Sequence, residues 1–212
     1  MLRRQICLAL SLVAFLLPAG AMAQDRAGVF DFYVLALSWS PTYCETDGRD
    51  DRAQCDGTHD FVVHGLWPQY ERDYPEYCPV ADSWVPESLA DGMSDLMPSR
   101  NLVFHQWRKH GTCSGLNQRA YFETVREAYE RVVLPRPLVD PTRDIRVSAE
   151  ALEAAFVAAN RGLRRDMLAV ACDAGRVEEV RICMTKRLDF RACPQVDRRG
   201  CGQADLVMPA PG

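Results

Sequence analysis

From Phe30 to Trp39 the chain runs FDFYVLALSW, an aromatic and branched stretch with little polar interruption, which predicts a buried strand. Phe61-Val62-Val63 predicts a second short strand that leads directly into His64-Gly65-Leu66-Trp67-Pro68. Residues 70–79 are rich in tyrosine and proline and predict a loop. Helical character returns at 101–110, with Gly111 expected to stop the helix. The spacing over 118–133 predicts an amphipathic helix ended by Pro135 and Pro137. Ser148 is placed to cap another over 149–161, closed by Gly162. Strands follow at 168–172 and 177–186. Strands and helices mix without regular alternation. That pattern predicts a single α+β domain with a central, mostly antiparallel sheet and several helices.

Composition narrows this picture at both ends. A chain of 212 residues, 48% hydrophobic and 25% charged, excludes disorder and collagen-like repeats and is long enough for one core. Arg3 and Arg4 precede an apolar run from Ile6 to Leu17, and Ala21-Met22-Ala23 follows Pro18. This is the layout of a secretory signal peptide, so residues 1–23 are expected to be removed, leaving 24–212 as the domain. The apolar run is too short for a comfortable membrane anchor. Without Arg3 and Arg4 the chain holds 23 basic against 29 acidic residues, a formal charge of −6, which argues against a broad electrostatic clamp on nucleic acid.

The leader also takes Cys7. Cys44, Cys55, Cys78, Cys113, Cys172, Cys183, Cys193 and Cys201 remain, and eight cysteines in an exported chain predict a fold stapled by four disulfides. Zinc is the rival reading, but no pair has C-x-x-C spacing. Spacing alone leaves the pairing open.

The candidate chemistry lies in two short segments. Three of the four histidines fall in HGLWPQ (64–69) and FHQWRKHGTC (104–113), and Lys109, one of only two lysines, sits in the second. At about 100° per residue, His105, Lys109, Gln106 and His110 would stand at about 0°, 40°, 100° and 140°, on one arc of a helix that turns Trp107 and Arg108 elsewhere. Zinc on a helix prefers histidines four apart with a nearby carboxylate; His105 and His110 are five apart, and their segment has none. No nucleophile-elbow signature appears. Metal-free acid/base cleavage of a phosphodiester fits better. Imidazole is suited to both giving and taking a proton near its unperturbed pKa, a cation steadies the phosphorane, and RNA brings its own 2′-hydroxyl nucleophile.

HGLWPQ at 64–69 and HQWRKHGTC at 105–113 resemble the two active-site segments of the ribonuclease T2 family. LSWSPTYC at 37–44, Tyr74-Pro75-x-x-Cys78 and the closing pattern of Cys172, Cys183, Cys193-Pro194 and Cys201-Gly202 are similar to that family as well. The resemblance implies a secreted or periplasmic, metal-independent endoribonuclease of low base specificity. It would cleave single-stranded RNA to a 2′,3′-cyclic phosphate and then to a 3′-phosphate. It implies His64 as general acid, His110 as base, His105 on the phosphate and Lys109 on the transition-state charge. Trp67 and Tyr74 match aromatic base-site positions, and Gln69 could meet a base edge. Neither cofactor nor metal is expected, and the protein is expected to work as a monomer. The family also suggests the pairs Cys44–Cys55, Cys78–Cys113, Cys172–Cys201 and Cys183–Cys193.

One position departs from the family. Gln106 stands where glutamate is usual, and an amide can bond a phosphate oxygen or orient Lys109 but cannot serve as a base. An RNA-binding member without activity and a metal-dependent hydrolase are the competing classes. Arg187, Arg191, Arg198 and Arg199 offer a contact to RNA, but read first as ordinary solvated surface.

Overall fold

The computed structural model describes residues 25–56 and 59–212; the expected signal peptide and Cys7 lie outside the described residues. Six strands form one mixed sheet: β1 (Phe32–Trp39), β2 (Phe61–Gln69), β3 (Ile145–Val147), β4 (Leu168–Asp173), β5 (Arg176–Met184) and β6 (Leu206–Met208). The helices are α1 (Ser40–Glu45), α2 (Arg52–Cys55), α3 (Glu87–Asp91), α4 (Arg100–Lys109), α5 (Gln118–Glu130), α6 (Ala149–Ala159) and α7 (Pro194–Asp197). The strand order is β2-β1-β5-β6-β3, with β4 paired to β5; β5 and β6 meet in parallel, and the other pairs are antiparallel.

The sheet has two unlike faces because strand side chains alternate. Tyr33, Leu35, Leu37 and Trp39 of β1 enter the main core with Val63 and Leu66 of β2 and Val180 and Ile182 of β5. Helix α5 adds Tyr121, Phe122 and Val125 to that core, and α6 adds Leu152 and Phe156. Asn117 caps α5 by accepting from the Ala120 N–H at 2.9 Å, and Ser148 caps α6 by accepting from Ala151 at 3.0 Å. On the other face, Val34, Ala36 and Ser38 stand in register with Cys183, Arg181 and Glu179. Val34 and Ala36 also meet Trp67 and Gly65 there. This second face carries the site.

Two β-bulges interrupt the alternation. Ala36 faces Gly65 while Leu37 faces Val63, so His64 is the extra residue of β2. Ala171 faces Glu179 while Cys172 faces Val177, so Glu178 is the extra residue of β5. An extra residue shifts the parity of everything beyond it. Val177 can therefore share the core face with Val180 and Ile182, and Glu179 and Arg181 fall on the other.

The sequence pattern did not predict the short elements α2, α3, α7, β3 and β6, and two further differences lie beside β1 and α4. After β1, Pro41 enters the first turn of α1, a helix that the apolar pattern did not predict. Gly111 does not end α4 through a left-handed turn; His110 is already the cap, at φ −116°, and Gly111 opens a 3₁₀ turn. Gly111 is instead a close-packing position, since a Cβ there would overlap the Trp107 ring and lie 2.9 Å from Tyr121 Cε1. The left-handed residue is Gly115, at φ 78°. Four disulfides join Cys44–Cys55, Cys78–Cys113, Cys172–Cys201 and Cys183–Cys193.

Candidate active site

The first wall of the site is the bulge of β2. His64 projects there with its side chain 34% exposed, and its Nδ1–H donates to Glu179 Oε1 from β5. Glu179 also accepts from Ser38 Oγ at 3.3 Å and from Arg181 Nε at 2.8 Å. Burial alone would raise the Glu179 carboxyl, but the hydrogen bond and charge of His64, with Arg181, hold it down at about 2. Two residues beyond Gly65, Trp67 stands between the histidines, its ring centroid 5.3 Å from both His64 and His110, nearly parallel to the latter. The Arg181 guanidinium lies 5.5 Å from the Trp67 ring.

The second wall is the C-terminal turn of α4. Gln106 is only 1% exposed, and its Oε1 accepts from Trp67 Nε1 at 2.8 Å. That bond requires Gly65, because a Cβ there would overlap Gln106 Oε1. The amide therefore braces Trp67. Lys109 reaches Glu76 at 3.6 Å and lies 5.9 Å from the Tyr74 ring. His110 is 5% exposed, and its Nδ1 is buried without a hydrogen-bond partner among the described residues. Burial first, then the charges of Lys109, His64 and His105, push its pKa down to about 3. Burial and the neighbouring Lys109 also lower His105. The Tyr77 N–H donates to the Lys109 carbonyl at 2.9 Å, and Cys78–Cys113 fastens the 70–79 loop to the end of this wall.

Between the walls lies a cavity of about 280 Å³. His64, Trp67, Gln69, Tyr74, His105, Gln106, Lys109 and His110 all line it. Val34, Arg181, Gln195, Val196 and Arg199 complete the lining, and of these the sequence analysis had singled out Arg199 alone. Arg199, read as solvated surface with RNA contact as the alternative, reaches the pocket lining. Gln69 keeps its amide close to the backbone, donating to the Pro68 carbonyl at 3.0 Å. Trp107 is turned into the core at 1% exposure, against Tyr121. No lining residue is acidic, so a net-acidic chain presents a locally cationic pocket. Beyond His64 and Arg181 a second cavity of about 230 Å³ is lined by Tyr43, Asp47, Glu178 and Glu179. Among the described residues, no group of three or more His, Cys, Asp or Glu side chains is arranged to hold a metal. Nor is any helix among them long and apolar enough to cross a membrane.

Such a pocket offers three imidazoles, three further cations (Lys109, Arg181 and Arg199) and an aromatic wall, which suits an anion flanked by a flat ring. Comparison with known proteins agrees. The chain is 44% identical over 105 residues to a ribonuclease of Aeromonas hydrophila, an alignment covering 50% of this chain and 47% of that one. It is 30% identical over 129 residues to a probable ribonuclease of Haemophilus influenzae, covering 54% of this chain and 47% of that one. The chain thus spans about half the length of these curated relatives. Among solved structures, an RNase-related protein from Calystegia sepium superposes with a TM-score of 0.69 at 25% identity, covering 86% of this chain and 98% of that one. RNase NT, solved in complex with 5′-AMP, gives 0.64 at 26% identity, covering 86% and 99%. The sequence profile of the Ribonuclease T2 family matches residues 30–193, and the chain belongs to that family.

Proposed function

We propose that this protein is a metal-independent endoribonuclease that cleaves single-stranded RNA with low base specificity. The observation that carries the reading is the placement of His64 and His110 on opposite walls of one cationic pocket, with His105 and Lys109 between them in the sequence and on its lining. His110 takes the proton of the 2′-hydroxyl, and the freed oxygen attacks phosphorus. His64 gives a proton to the departing 5′-oxygen, leaving a 2′,3′-cyclic phosphate. In the slower second step the roles reverse: His64 activates water, and His110 returns the proton to the 2′-oxygen. His105 seats the phosphate, and Lys109 stabilises charge on the pentacovalent phosphorus.

The electrostatics suit these roles. Burial and Lys109 keep His110 unprotonated well into mild acid. An anionic phosphate beside Lys109 offsets those cationic neighbours, so the base gains proton affinity when substrate arrives. Trp67 and Tyr74 offer ring surface for stacking, which tolerates any base, and this supports low specificity. The enzyme acts as a monomer after export to the periplasm or medium, its 1–23 leader removed; N-terminal sequencing of exported protein checks the cut after Ala23.

The central test is incubation of mature protein with RNA in excess EDTA beside a His110→Ala variant. Cyclic phosphates from the wild type alone are expected. EDTA sensitivity would indicate a metal-dependent hydrolase, and RNA binding without cleavage by either protein would indicate a silent member of the fold.

A further inference from the structure

A carboxylate buried on a sheet face is a costly placement unless it is paired. Glu179 is 7% exposed, yet all its bonds are made: His64 Nδ1–H and Ser38 Oγ on one oxygen, Arg181 Nε on the other. It lies 115 residues from His64, and the β5 bulge is what turns it towards that ring. Glu179 does not line the cationic pocket; it lines the second cavity and meets the first only through His64 and Arg181.

We propose that Glu179 is a positioning residue: it fixes His64 in its Nδ1–H form and stabilises the imidazolium whose Nε2–H is delivered to the leaving oxygen. The inference rests on the reading of His64 as the general acid. One ring nitrogen's hydrogen bond decides what the other carries, and a buried carboxylate behind an imidazole both orients it and offsets its charge. The step balances without any co-reactant. His110 accepts the 2′-hydroxyl proton, the 2′-oxygen–phosphorus bond forms and the phosphorus–5′-oxygen bond breaks. The 5′-oxygen then takes the Nε2 proton, while Nδ1–H stays on His64 against Glu179. Arg181 keeps Glu179 from taking that proton, since its guanidinium favours the ionised carboxylate. The remaining titratable groups around His64 are Glu178 on β5, Tyr43 of α1 and Asp47 after it, His105, Lys109 and His110 on the α4 side, and Tyr74 and Arg199 on the pocket lining.

The test compares two substrates. A dinucleoside phosphate leaves as an alkoxide and needs a proton, whereas uridine 3′-(4-nitrophenyl phosphate) leaves as a stable phenolate and does not. Glu179→Gln is expected to lower kcat on the dinucleotide on the order of 10²-fold and to leave the aryl ester almost unaffected. Glu179→Asp, which keeps a shortened carboxylate, should recover part of the loss on the dinucleotide alone and serves if the glutamine variant fails to fold. Proton NMR should show a far-downfield Nδ1–H resonance of His64 in the wild type that Glu179→Gln removes. Equal losses on both substrates, or no loss on either, would overturn the proposal. A wild type that cleaves neither substrate would overturn the ribonuclease reading itself, and this inference with it.

Discussion

His64 and His110 are chemically the same side chain on the same pocket, and the fold surrounds them oppositely. His64 rides on a strand bulge, one-third exposed, with a carboxylate behind its Nδ1. His110 caps a helix, nearly buried, stacked on Trp67 and flanked by Lys109, with no acidic residue in the lining. A helix C-terminus favours a protonated imidazole by about 0.3–1 kcal/mol. The drop of the His110 pKa from 6.5 to about 3 corresponds to roughly 5 kcal/mol in the other direction, so burial wins. The two rings are thus set apart by a carboxylate behind one and by burial beside cations for the other.

The sharpest way to break this contrast is to remove each ring in turn. His110→Ala should abolish the base on any substrate, lowering kcat/KM on the order of 10⁴-fold with dinucleotide and aryl ester alike. His64→Ala should do comparable harm to the dinucleotide and spare the aryl ester; rates on both substrates, measured side by side, decide it. Equal losses for the two variants on both substrates would erase the distinction between the walls.

Next in size is the tether of the α4 wall. Cys78→Ser with Cys113→Ser opens a link across 35 residues, and a loss of about 3–4 kcal/mol in urea unfolding is expected. The same variant should raise KM, because Tyr77 and the end of α4 lose their common anchor.

Acid stability separates the two sides by pH window. Native His110 gains its proton near about 3 and the unfolded chain near 6.5, so between these values the unfolded state holds more protons. Stability therefore falls as pH falls through that window, by up to about 1.4 kcal/mol per pH unit. Native Glu179 titrates near about 2 against 4.5 unfolded, so its contribution is complete above 4.5 and lost as pH drops towards 2. Urea midpoints against pH should flatten between 6.5 and 3 in His110→Gln, and between 4.5 and 2 in Glu179→Gln. Parallel curves for all three proteins would refute this division.

The smallest effect is expected from Gln106→Glu. A carboxylate can still accept from Trp67 Nε1, but it sets a negative charge near His110 and against Lys109. His110 would then hold its proton more readily, and the acid limb of the rate profile should move to higher pH without loss of cleavage at its optimum. Superimposable pH–rate curves for the two proteins would sink this reading of the glutamine.

The α4 wall was largely legible in the sequence because it is the last turn of a helix and its cap: residues 105, 106, 109 and 110 are near neighbours there, whatever packs around it. HGLWPQ was legible as a segment but not as a shape. Nothing in its apolar pattern says that His64 occupies a bulge, or that Gly65 is needed so that Gln106 can reach Trp67. Gln106, read as able to bond a phosphate oxygen or orient Lys109, lines the pocket and accepts from that indole through Oε1. Glu179 and Arg181 were missed because their role depends on the register β2-β1-β5 and on a parity change at Glu178. The available signal was the charged residues Glu178, Glu179 and Arg181 inside a strand that otherwise alternates with Val177, Val180 and Ile182, where a buried charge demands a partner.

The sequence by itself determined the longer strands and helices, the eight cysteines and the two histidine segments, because propensity, spacing and residue chemistry are local properties. Tertiary structure alone decided which face of β5 looks into the site, and so which histidine stands against a carboxylate and which is buried among cations. Proton affinity depends on charges and solvent within a few ångströms, and only the folded chain brings residue 179 to residue 64.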